Sequence, residues 1–339
     1  MMVQRKKLIF GGLALTLLLA KSSAINCYAA ENTAFVTKNG YSLTQEQYDK
    51  VSQVYEDDVL YLQDNETIDY WLQDDVEIIS GDTLYIQVDE LYDVNGEYLG
   101  EYERELTEQE ATVLEKKIAK NGGQPLISND FATLTSLAAK VTSTKSSAIK
   151  PYEEITTMKK LTMTTSNQAA ITSKNMVLTL QWLAMPNIRS FDIIAIRPGV
   201  ECTFYNNNIK HNLKCQQIYD SGSGRKIIEY DSFGDHCIKK LGSGIAGGNK
   251  MDGHHHGCGF SMNLVNAAKK ITCVMEMTVD TSKNNFVAYG SYQHATKNVS
   301  LAESKKYSIS YEGLGKVILF DNKVKEKYDG MNGVARVYN

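Results

Sequence analysis

Hydrophobic and polar positions change period several times along the chain. Over residues 41–75 the pattern is helical, in short pieces. In SLTQEQYDKVSQVY, Leu43, Tyr48, Val51 and Val54 recur at roughly helical spacing, behind Ser42 or Thr44 as a cap and with Glu46 and Gln47 in the first turn. DNETIDYWLQ reads as a second short helix. The period then falls to two: Leu84, Ile86 and Val88 alternate with Tyr85, Gln87 and Asp89. Asn95-Gly96 marks a hairpin, because its turn residues must accept positive φ. TEQEATVLEKKIAK restores the helical pattern, and Gly122-Gly123 ends it.

Residues 126–150 are rich in Ser, Thr, Ala and Lys and read as a linker. Beyond them the pattern is strand-like almost throughout, in KKLTMTTS, MVLTLQWLAM, SFDIIAIRP, KCQQIYDS, KIIEYDS, GFSMNLV, KKITCVMEMTVD, FVAYGSYQHA, KKYSISYEG and KVILFDN. Most of these are separated by stretches rich in Gly, Asn or Ser. ITCVMEMTV sets Ile271, Cys273, Met275, Met277 and Val279 on one face and Thr272, Glu276 and Thr278 on the other. One dry face per strand fits antiparallel sheets packed as a sandwich. No regular alternation of helix and strand appears, which excludes a parallel α/β architecture. The expected fold class is therefore mainly β: an antiparallel β-sandwich C-terminal domain preceded by a small α+β N-terminal module. The expected divisions are a signal peptide at 1–29, an acidic α+β module at 30–125, a linker at 126–150 and a basic β-sandwich domain at 151–339.

Charge and the first thirty residues refine this picture. Arg5, Lys6 and Lys7 precede an apolar run from Leu8 to Ala20, and small residues follow, the order of a secretory signal peptide. The run is shorter than the roughly 20 residues a membrane-spanning helix needs, so no transmembrane anchor is expected in the mature chain. The expected location is extracellular or cell-wall associated. Residues 31–125 hold 23 acidic and 6 basic residues, whereas residues 126–339 hold 17 and 26. Opposite signs in two halves suggest two modules with different surfaces. Anionic cell-envelope polymers are the expected partner of the basic half, and no nucleic-acid partner is expected. Five cysteines follow the leader, an odd number, and no C-x-x-C pair is present.

Candidate chemistry is sparse. In KMDGHHHGCG, a strand extended back through the histidines would set Asp252, His254, His256 and Cys258 on one face, a donor set acceptable to a divalent metal. The competing reading is a glycine-flanked hairpin tip, since the same parity continues into Phe260, Met262 and Leu264, which look like core. No other cofactor is expected. In VAYGSYQHA, Ala288, Gly290, Tyr292 and His294 share a face; Tyr292 and His294 are candidates for a shallow ligand groove, the alternative being a packed sheet with Gly290 accommodating a neighbour. No catalytic residue is singled out. There is no G-x-S-x-G elbow, Ser291 and His294 would face opposite ways in a strand, and Ser147-x-x-Lys150 lies in the linker without companion motifs. Glycine-rich DSGSGR and LGSGIAGGNK do not join a strand to a helix as phosphate loops do.

LTQEQYDKVSQVYEDDVLYLQ, RSFDIIAIR, GFSMNLV, YGSYQHATKNVSLAESKKYSIS and KYDGMNGVARV resemble segments of uncharacterised secreted proteins of Gram-positive bacteria with a YGSYQHA-type C-terminal β domain. The resemblance covers most of the mature chain and implies secretion and a β-rich C-terminal domain; it brings no catalytic residue with it. The expectation is a secreted, non-enzymatic protein that binds the envelope or another surface. The alternatives are a secreted hydrolase whose site the sequence does not display, and an effector masked by its acidic N-terminal module.

Overall fold

A computed structural model describes residues 33–93, 95–128, 153–168, 173–199, 202–204, 213–232, 234–241, 256–281, 286–309, 317–329 and 333–338. The expected signal peptide lies outside these residues, as does most of the expected linker. The described residues separate into two compact units, divided between Gln73 and Asp74.

In the first unit, β1 (Phe35–Val36) pairs with β2 (Ser42–Leu43), followed by three short helices, α1 (Gln45–Val51), α2 (Asp57–Leu60) and α3 (Asn65–Leu72). Thr44 caps α1 through a capping box with Gln47, and Asp64 caps α3 by accepting from Thr67 N–H at 2.7 Å. Of the positions that suggested the first helix, Leu43, Val51 and Val54 are buried and Tyr48 is half-buried; Leu60, Ile68 and Trp71 are buried as well, and Trp71 Nε1–H donates to Tyr55 Oη at 3.1 Å.

The second unit is mainly β, and every strand pair described is antiparallel. One sheet of nine strands runs β11-β10-β14-β7-β6-β3-β4, with β5 and β9 attached at its sides. Its strands are β3 (Val76–Tyr92), β4 (Tyr98–Leu106), β5 (Leu126–Ser128), β6 (Glu153–Gln168), β7 (Ser173–Trp182), β9 (Thr203–Phe204), β10 (Leu213–Asp220), β11 (Arg225–Tyr230) and β14 (Lys270–Asp280). The second sheet runs β12-β13-β8-β15-β18, from β12 (Cys237–Leu241), β13 (His256–Asn263), β8 (Phe191–Pro198), β15 (Val287–Gln293) and β18 (Gly333–Tyr338). The two sheets share one apolar interior. Into it point Met163, Leu178, Leu180, Ile194, Ile196, Phe260, Met262 and the whole expected face of β14, Ile271 to Val279. Gly81 permits a close approach of β18, for a Cβ there would lie 2.3 Å from the Arg336 carbonyl oxygen.

Each sheet carries a cover on its outer face. Helix α4 (Glu108–Lys120) packs Ala111, Leu114 and Ile118 on Met158 and Ala184. Thr107 and Glu110 form its capping box, and Gly122 and Gly123 adopt positive φ past its end. On the other side a small cap packs on Ile193, Ala195 and Tyr289. It consists of α5 (Leu301–Ser304), the hairpin β16 (Tyr307–Ile309) with β17 (Ile318–Phe320), and α6 (Asn322–Lys325).

The division differs from the one expected at residue 125. β3 pairs with β6 from Val76↔Gln168 to Tyr92↔Glu153, and β5, within the expected linker, pairs with β6 as well. The acidic stretch from 76 to 120 is thus a structural part of the β domain. The reason is hydrogen bonding: β3 lies between β4 and β6 in the sheet and satisfies the backbone of both. The charge contrast read from the sequence does not follow this division, since residues 74–339 hold 31 acidic and 30 basic residues.

Candidate functional site

The apolar interior ends in a buried charged cluster. Several strands that supply apolar side chains near their middles supply polar ones near one end. Glu90 follows Ile86 and Val88 on the inward face of β3, and the register places Glu101 of β4 directly opposite it. Glu103 lies across from Val88. Lys159 precedes Leu161 and Met163 on β6, Asp192 precedes Ile194 and Ile196 on β8, and His294 follows Tyr292 at the end of β15. Asp329 follows Tyr328, which bridges to Ala295 and so brings this segment beside the end of β15.

Two cations are set among five carboxylates. Lys159 Nζ donates to Glu103 and to Asp329, and it lies 5.7 Å from the Trp182 ring centroid and 5.8 Å from that of Tyr292. Asp192 accepts from the Tyr292 hydroxyl, from the His294 imidazole at 2.9 Å through Nδ1, and from Ala295 N–H at 2.9 Å. Trp182 Nε1–H donates to the Tyr292 hydroxyl at 2.9 Å. Glu90 is held by Asn187 N–H at 3.1 Å and by Ile188 N–H at 3.4 Å. Asp329 also accepts from His294 N–H at 3.1 Å. Three atoms here make no hydrogen bond among the described residues: His294 Nε2, Glu101 Oε1 and Asp329 Oδ1.

Burial and mutual repulsion shape the titration of these groups. Burial raises the pKa of Glu90, against the opposing effect of the Asn187 amide and the charge of His294. Burial likewise raises Glu101, opposed by His294. Burial and the nearby Glu103 charge raise Asp329. For His294, burial works against the imidazolium but is outweighed by the charge and hydrogen bond of Asp192, so its pKa rises to about 9. Burial opposes the charge on Lys159 too, yet Asp329, Glu103 and Glu101 hold its pKa above the ordinary lysine value.

Two sets of donors converge closely enough to share an ion. Glu90, Glu101 and His294 bring one ligand atom each to within 4.8 Å of one another, and so do Glu101, Glu103 and Asp329. In the second set the Lys159 ammonium already bridges Glu103 and Asp329.

Of the residues expected from sequence, Tyr292 and His294 belong to this cluster. Their face, with Ala288 and Gly290, turns into the sandwich and is not a groove open to solvent: Tyr292 is 2% exposed and His294 0%. Gly290 does accommodate a neighbour, the Leu178 side chain, 2.3 Å from where a Cβ would stand. Cys258 points into the apolar core with Phe260 and Met262, since strand parity carries it to the inner face. Asp252 and His254 lie outside the described residues. His256 opens β13 opposite Leu241, and its side chain is outside the description. Glu90, Glu101, Glu103, Lys159, Asp192 and Asp329 were not singled out from sequence. Parity was the available signal for three of them: Glu90, Lys159 and Asp192 share the parity of core residues on their own strands.

No protein-family model matches the chain, and no curated protein matches it. Solved structures show weak likeness. A chain named "Pore forming protein" is 12% identical, with 40% of this chain and 74% of that chain covered and a TM-score of 0.17. The C-terminal domain of the Streptococcus pyogenes antigen I/II-family protein AspA is 7% identical, with 62% and 80% covered and a TM-score of 0.23. A chain named BspA_C_WT is 6% identical, with 64% and 86% covered and a TM-score of 0.22. None of these likenesses bears on the buried cluster. Among the described residues no helix is long and apolar enough to cross a membrane.

Proposed function

We propose that this is an exported, non-enzymatic protein that binds anionic cell-envelope polymers through the lysine-rich cap on its five-stranded sheet. The observation that carries the reading is the placement of Lys297, Lys306, Lys323 and Lys325, all exposed on or beside the cap, with Lys305 and Lys327 half-buried among them. Among the described residues, the acidic groups on the same surface are Glu303, which pairs with Lys327 at 2.7 Å, and Asp321 and Glu326. The apolar side of the cap is committed to the sheet beneath it, through Val299, Tyr307, Ile309 and Val324. That leaves the charged side for a partner, and an exposed excess of lysine attracts polyanions in a salt-dependent way.

A hydrolase is the less favoured reading. The Asp192–His294 pair resembles part of a general-base arrangement, but His294 is wholly buried and no hydroxyl or thiol donates to its Nε2 among the described residues. The test is co-sedimentation of the full chain with purified bacterial cell walls across salt concentrations, beside a Lys306→Glu, Lys323→Glu, Lys325→Glu variant. Binding that weakens as salt rises and falls at least several-fold in the variant supports the proposal. Binding indifferent to salt, or equal in both proteins, overturns it.

A further inference from the structure

The cross-strand pair Glu90↔Glu101 is anomalous as a purely structural feature. Like charges directly opposite on a sheet repel, and this pair faces the interior. His294 is entirely buried, brings a ring nitrogen within 4.8 Å of a carboxylate oxygen of each, and leaves its Nε2 without a hydrogen bond among the described residues. Its other nitrogen, Nδ1, is bonded to Asp192, which also accepts from the Tyr292 hydroxyl and from Ala295 N–H. A carboxylate that fixes one ring nitrogen while the other faces two further carboxylates is the arrangement found around metal-ligating histidines. Glu90 is already positioned by two main-chain amides.

We propose that Glu90, Glu101 and His294 bind a divalent first-row metal ion that displaces the proton from His294 Nε2, with Asp192 as the positioning residue behind the histidine. The donor set, one imidazole and two carboxylates, suits zinc or manganese more than calcium or magnesium, which favour oxygen donors. Two donors on one ion at about 2.1 Å each stand no more than about 4.2 Å apart. The 4.8 Å bound on the three ligand atoms therefore requires only small side-chain movements to close the site. An ion there would neutralise the Glu90–Glu101 repulsion and tie the β3–β4 hairpin of one sheet to the end of β15 in the other. Where Glu103 and Asp329 converge, the Lys159 ammonium already bridges the two carboxylates.

The proposal does not depend on the envelope-binding reading, and its test does not involve cell walls. The full chain, stripped with chelator, carries His254→Ala, His255→Ala and His256→Ala so that the run of three histidines contributes nothing. Zn²⁺ and Mn²⁺ are titrated by calorimetry, with Ca²⁺ and Mg²⁺ as comparisons, and the Mn²⁺ complex is read by pulsed electron paramagnetic resonance for nitrogen coupling. The expected result is one equivalent bound, a single imidazole nitrogen coupled to the ion, and a higher melting temperature with metal. Affinity should fall at least tenfold in Glu101→Gln and about 10- to 100-fold in Asp192→Asn. The proposal is overturned if the triple-alanine chain binds neither ion, if bound Mn²⁺ shows no imidazole nitrogen, or if Glu101→Gln and Glu90→Gln bind as that chain does. Because the nitrogen signal is read on a chain with the intact cluster, its absence overturns the proposal even if the cluster variants fail to fold.

Discussion

The same strands are apolar at one place and charged at another, at equal depth. β8 runs from Asp192 to Ile194 and Ile196, β15 from Ala288 to Tyr292 and His294, and β7 from Leu178 to Trp182 beside Lys159. Leu178 and Lys159 are both essentially without solvent contact. The apolar region needs only shape: Leu178 fills the space that Gly290 leaves, and dispersion and desolvation hold the sheets together. The charged region needs every partner, because removing one leaves a charge that neither water nor a neighbour satisfies. Equal burial therefore carries different consequences at the two places.

The largest break in this comparison comes from deleting the strands that bring the carboxylates. Residues 126–339 alone lack β3 and β4 and would leave a long edge of β6 unpaired. That fragment is expected to be insoluble or unfolded, whereas residues 74–339 remain folded; circular dichroism and size-exclusion chromatography of the two distinguish them. A soluble, cooperatively melting 126–339 fragment would restore the boundary read from the sequence, and with it a removable acidic module.

Lys159→Met comes next. It keeps the volume but strands Glu103 and Asp329, and it is expected to cost about 3–5 kcal/mol in denaturant unfolding. Lys159→Met combined with Glu103→Gln and Asp329→Asn should recover much of that loss. In the apolar region Leu178→Ala is expected to cost about 2–5 kcal/mol through the cavity it leaves. Gly290→Ala is expected to cost about 1–3 kcal/mol by crowding Leu178. The double variant should cost less than the sum, since the new methyl enters the space the leucine vacates; additive losses would show that the two sites do not share that space.

The smallest effect lies outside the interior, in the cap of α4. Thr107→Ala is expected to cost about 1 kcal/mol. Glu110 is held down to about 2, first by the Arg104 hydrogen bond and then by the Thr107 amide and hydroxyl. A lowered carboxylate stabilises the fold above its unfolded pKa of about 4.3, and that stability is lost as pH falls through about 2. The deficit of Thr107→Ala should therefore narrow at acid pH, as melting curves across that range would report.

Local pattern alone determined the period of each segment. A cap at Ser42 or Thr44, the helix of TEQEATVLEKKIAK with its Gly122-Gly123 stop and the dry face of β14 were all legible, because each depends on residues a few positions apart. The inward turn of Tyr292 and His294 was half legible: parity put them on one face, but whether that face met solvent or a second sheet depended on Leu178 and Trp182, more than a hundred residues away in the chain. The position of the acidic stretch was decided only by tertiary structure. Composition separated it from the basic half, while the hydrogen bonds of β6 required β3 beside it. The charged cluster was decided in the same way. Glu90, Glu101, Lys159, Asp192, His294 and Asp329 come from distant parts of the sequence, and nothing local marks a carboxylate as buried except its parity with core neighbours. Strand register and sheet packing bring them together, because backbone pairing fixes each strand's inward face along its whole length, charged ends included.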